Sequence, residues 1–149
     1  MCNYSKSRRG TSAVEFAIVG PLAFLLLFGL LIGGMGVFRY QEMASLAREG
    51  SRWASVHGTG YQKDTGKPAA TQQDVQNYII AKGVSLDLSQ LNCSVTWNTD
   101  NHPYHTKFVN GQVVAVTNTV KVTITYYWIP EAFLGGLTLT STSESAMSN

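Results

Sequence analysis

Charge is scarce in this sequence: 13% of the 149 residues are Asp, Glu, Lys or Arg, and the formal net charge is +2. So weak a balance excludes a binder built on bulk positive charge, and no nucleic acid contact is predicted. Cysteine is scarcer still, limited to Cys2 and Cys93. They flank a long apolar run, so a spanning helix keeps them apart, and a disulfide scaffold is excluded. Cys2 precedes that run and does not fit a lipoprotein attachment site. Cys93 alternates with Val95 and Trp97 and reads as a small buried residue. Enzyme signatures are missing too. Gly58-Thr59-Gly60 lacks the lysine and helix start of a phosphate cradle. Asp100, His102 and His105 share a short loop around Pro103, with no fourth ligand at a recognised metal spacing. They read as loop residues beside a turn. No catalytic residue, metal or cofactor is expected.

What the sequence does hold is one organising stretch, Arg8 to Phe38. Lys6, Arg8 and Arg9 form a basic leader without an acid, like the n-region of a targeting segment. After Glu15 comes an uncharged run from Phe16 to Val37. At 1.5 Å per residue it extends about 33 Å as a helix, enough to cross the hydrocarbon core of a bilayer. Gly33, Gly34 and Gly36 imitate the cleavage site of a secretory signal, but the run is longer than an ordinary h-region. Pro21 should kink or loosen the first turns. Gly29-x-x-x-Gly33 is a small-xxx-small pair that lets a second helix approach; glycines simply tolerated in lipid are the plainer reading. Counting basic residues leaves orientation open, because Lys6, Arg8 and Arg9 balance Arg39, Arg48 and Arg52. The arginine pair at the boundary favours the N-terminus inside.

Beyond Arg39 the helical pattern continues to about Val56, for a single helix of roughly 69 Å from Thr11. Met43, Leu46, Ala47, Gly50, Trp53, Ala54 and His57 form its apolar stripe, the face on which a small domain packs. Residues 58–70 read as a loop from their glycine, proline and polar content. Thr71-x-x-Asp74 opens a short helix that Gly83 stops. Strands follow: one through Cys93, Val95 and Trp97, then a hairpin turning at Asn110-Gly111. A long strand places Val120, Val122, Ile124, Tyr126 and Trp128 on one face. Pro130 to Gly136 connects to a last strand at Leu137 and Leu139, which trails into the Ser/Thr-rich end. The expected architecture is α+β: a long N-terminal helix, membrane-spanning first and amphipathic after, packed on a small antiparallel sheet. Its parts are a leader at 1–10, a transmembrane part at 11–38, an amphipathic continuation at 39–57 and an α+β domain at 58–149.

Glu15 admits two readings. Ser12-x-x-Glu15 fits a capping box at a helix start, worth about 1 kcal/mol. If instead the chain is cut after Gly10, the new amine of Thr11 lies one turn away. A carboxylate at an apolar edge then seeks that amine, or one on a neighbouring subunit.

The residues Arg8-Arg9-Gly10-Thr11-Ser12-Ala13-Val14-Glu15-Phe16-Ala17 resemble the N-terminus of TadE-like (TadE/TadG-like) proteins, minor pseudopilins of tight-adherence pilus systems. The segment Ala47-Arg48-Glu49-Gly50-Ser51-Arg52-Trp53-Ala54 is similar to that family's stretch after the membrane helix. The resemblance is dense over residues 8–57 and loose in the strands. It implies a pilin-like fold and cleavage between Gly10 and Thr11 by a prepilin peptidase. Implied partners are other pilins and pseudopilins, the inner-membrane assembly platform and the lipid bilayer. The implied location is the bacterial inner membrane, crossed once, with the N-terminus cytoplasmic and the C-terminal domain in the periplasm or the pilus. The alternative is an anchored extracytoplasmic binding domain that enters no pilus.

Overall fold

The computed structural model describes residues 9–130 and 135–148, with side chains from Ser12 onward. Cys2, Lys6 and Arg8 lie outside the described residues, as does most of the Pro130–Gly136 connection. The backbone divides into two compact units after Gly36.

Helix α1, Arg9–Val56, supplies all of the described first unit and the beginning of the second. It starts two residues before the expected Thr11 and continues through Pro21. Ser12 is therefore its fourth residue, and the first turn holds no acid. The expected Ser12–Glu15 capping box is thereby corrected. A capping side chain acts from extended backbone just outside the helix, and Ser12 is within it. In the first unit Val14, Phe16, Ile18, Val19, Leu22 and the run Phe24–Phe28 are each more than half exposed.

Among its described residues the second unit also carries two short α-helices, a 3-10 turn at Leu88–Gln90 and five strands. Helix α2, Thr59–Thr65, occupies part of the stretch expected to be loop. The glycines that suggested a loop are its ends: Gly58 is extended, and Gly66, at φ 72°, turns left-handed and donates its N–H to Gln62 O. Helix α3, Gln72–Lys82, starts and stops where the sequence indicated. Thr71 and Asp74 complete a reciprocal capping box, and Gly83 closes the end.

Strands β1 (Leu91–Trp97), β4 (Thr119–Trp128) and β5 (Leu137–Ala146) form an antiparallel sheet in the order β1-β4-β5. Alternation along β4 puts Val120, Val122, Ile124, Tyr126 and Trp128 inside. Each such burial stabilises the fold by roughly 1.5–3 kcal/mol. The stripe of α1 read from the sequence covers this core: Met43, Leu46, Ala47, Gly50 and Ala54 are buried, and Trp53 and His57 half-buried. Strand β5 does not trail off after Leu139. Ser141, Ser143 and Ser145 continue it on the inner face, where the buried Ser51 hydroxyl of α1 meets Ser143 Oγ at 3.0 Å and Ser145 Oγ at 2.9 Å. Hydroxyl pairing lets a polar strand end lie against a helix at little cost.

Strands β2 (Tyr104–Val109) and β3 (Gln112–Thr117) make the expected hairpin, with Asn110 at φ 49° and Gly111 at φ 79° in the turn. Two successive positive φ angles are what a two-residue primed turn requires. The hairpin forms its own two-stranded sheet and does not join the other three strands.

Candidate functional site

The N-terminal part of α1 is the first candidate. Among the described residues it is one helix long and apolar enough to cross a membrane. Water is a poor solvent for its exposed Phe and Leu side chains; lipid or neighbouring helices are the media that fit them. Glu15 lies in this segment with Ser12, Phe16 and Val19 around a shallow hollow. Phe16 lays its ring over Gly20, whose missing Cβ would sit 3.6 Å from it. Gly29 and Gly33 have open space above them, as does Gly34. The Gly10–Thr11 bond lies in the first turns of α1, with Arg9 beside it.

The second candidate is the outer side of α1 in the domain that begins at Val37, where it faces α3. Arg39 donates to the Ser85 carbonyl, and the Ser85 hydroxyl donates to Glu42. Further on, Tyr78 Oη donates to Glu49 Oε1 at 2.8 Å, and Lys82 Nζ lies 3.4 Å from the same oxygen. The Tyr78 hydrogen bond, then Lys82, hold the Glu49 carboxyl below its ordinary range; the same bond raises the Tyr78 phenol. Trp53 stacks on Tyr78 at 5.0 Å and on His57 at 4.2 Å, and Tyr61 tilts against His57 at 4.6 Å. His57 follows the last residue of α1. Its Nδ1–H donates to the Trp53 carbonyl at 2.8 Å, which satisfies a last-turn acceptor.

The Asp100–His105 loop is built around a residue the sequence did not single out. Asn118 is fully buried, donates Nδ2 to Asp100 Oδ1 at 2.8 Å and to His102 O at 3.0 Å, and holds His105 Nδ1 at 2.5 Å. Asp100 also accepts the His102 N–H at 3.0 Å, the first cause of its lowered carboxyl pKa. The imidazoles and the carboxylate thus bond into the turn. No group of three His, Cys, Asp or Glu among the described residues could hold a metal ion.

The arrangement offers an exposed apolar helix and a helix-on-sheet domain. The family resemblance read from the residues is borne out over this helix: the model of the TadE-like protein family matches residues 10–52. That family is associated with the Tad pilus. No curated protein and no solved structure matches the chain.

Proposed function

We propose that this chain is a structural minor pseudopilin that takes part in building or initiating a tight-adherence type IV pilus. The observation that carries the reading is the exposed apolar first part of α1 lying within the family-matched residues 10–52. In this account a prepilin peptidase removes residues 1–10, with Lys6, Arg8 and Arg9 holding the leader at the cytoplasmic face. Thr11 becomes the N-terminus, and residues 11–38 anchor the chain in the inner membrane with the later domain outside. The chain then works without catalysis, by packing against other pilins and pseudopilins on the assembly platform.

Glu15 and the glycines have distinct parts in this scheme. A carboxylate at an apolar edge is expensive without a partner. The free amine of Thr11, or that of an adjacent subunit, supplies one. Gly29 and Gly33, open on their outer side, allow a second helix to approach. Replacing Glu15 by Leu tests the role. The account expects normal cleavage and membrane insertion but loss of pili or of co-assembly with the major pilin. Normal piliation with Glu15→Leu would instead favour an anchored binding domain that enters no pilus.

A further inference from the structure

Two adjoining hollows in the domain that begins at Val37 share Trp53 and Tyr78 in their lining, one along α1 and the other between α1, α2 and α3, and together they make an open groove. One half is bordered by Arg48, Arg52 and Val56, the other by Lys67, Pro68 and Asn77. Arg48 and Arg52 are exposed and stand one turn apart on α1. Among the described residues neither has an acid within salt-bridge distance. Glu49 is paired with Lys82, whereas Asp74, hydrogen-bonded by the uncharged Thr71 cap, keeps its negative charge. Against that one carboxylate stand Arg48, Arg52 and Lys67, so the lining carries a positive balance.

Like charges one turn apart repel within the isolated chain, yet two adjacent guanidinium forks are well suited to carboxylates. The stacked Trp53–Tyr78 pair beside them adds rigid aromatic edges. Arg, Trp and Tyr are the residue types that dominate binding energy at protein interfaces.

We propose that this groove docks an acidic segment of another protein, with two carboxylates about one helical turn apart on Arg48 and Arg52 and an apolar side chain against Trp53 and Tyr78. A polypeptide fits better than a lipid headgroup. Arg52, about 21 Å along the helix beyond Phe38, lies past a headgroup layer and a Debye length of about 8 Å taken together, and Arg48, at about 15 Å, lies at their outer limit. That choice rests on the membrane reading of α1; the charge of the groove does not. A nucleic acid is disfavoured because the residues from Val37 onward carry eight basic side chains against eight acids, with no net positive charge.

The test uses the full chain in phosphatidylcholine nanodiscs, titrated with a labelled helical peptide carrying two glutamates four residues apart beside leucines. Binding should weaken about tenfold or more in Arg48→Gln/Arg52→Gln and with the Glu→Gln peptide, and should fall with added salt. Arg48→Glu/Arg52→Glu should lose the acidic peptide and gain the version with lysines in place of the glutamates, which shows that the fold is intact. Lys107→Gln, on the separate hairpin, should change nothing. The proposal is overturned if both arginine variants bind the acidic peptide as the parent does. It is equally overturned if the parent prefers phosphatidylglycerol vesicles or a single-stranded oligonucleotide to the peptide. Leader processing does not enter this measurement, so its failure and that of the pseudopilin reading are separable.

Discussion

Tyr78 on α3 reaches 29 residues back along the chain to donate its hydroxyl to Glu49 on α1, at 2.8 Å. The bond favours the ionised carboxylate, so Glu49 titrates below its ordinary value of 4.5. A carboxyl lowered on folding stabilises the fold fully above the unfolded pKa. That contribution is lost as pH falls through the folded one. The Glu49 side chain is 45% exposed, which limits the effect to under about 1 kcal/mol. Glu49→Gln should therefore lower the unfolding midpoint at pH 7 and leave it unchanged well below pH 4.5. Thermal denaturation of both chains across that range checks it, and a gap that persists in acid contradicts it.

Gly50 stands where α1, α3 and β4 meet. A Cβ there would lie 2.6 Å from Ile79 Cδ1, 2.9 Å from Ile79 Cγ1 and 3.7 Å from Val122 Cγ1. Ile79 is itself 1% exposed and has little room to withdraw. Gly50→Val should cost about 2 kcal/mol by overpacking. Shortening the neighbour with Ile79→Ala should recover part of that loss, so the double variant is more stable than the sum of its singles predicts. Denaturant titrations of the four chains read the coupling, and simple additivity would refute the contact.

Cys93 on β1 has its thiol pushed up from about 9 to about 11 by burial. Its thiolate fraction at neutral pH is thus about a hundredfold lower than that of an ordinary cysteine, and the thiolate is the reactive form. In a Cys2→Ser background the folded protein should be alkylated slowly and the denatured protein quickly. Equal rates would place Cys93 in the open.

These positions show where sequence patterns inform and where they stop. The inner face of β4, the α3 cap at Thr71 and the Asn110-Gly111 turn are local patterns, set by period two, by three-residue spacing and by positive φ. The apolar stripe of α1 is equally local. Asn118 is different: it has no periodic context, and its partners lie 13 to 18 residues back in the chain. The serines of β5 read as a polar tail because their partner, Ser51, is more than 90 residues away. The hairpin was legible, but its separation from the main sheet was not, since nothing local specifies which strand edges pair. For the candidate site, the leader, Glu15 and the apolar run stood out by charge patterning. Arg48 and Arg52 entered a charge count and the family-like segment but not as a site, because their setting depends on α3, Trp53 and Tyr78 coming together.

The division at Gly10 is the central claim, and the intact mass of the chain isolated from membranes tests it most directly. The account predicts a protein that begins at Thr11, and full-length chain when Gly10 is replaced by Leu. A wild-type chain that keeps residues 1–10, or a Gly10→Leu chain still cut at the same bond, would contradict it.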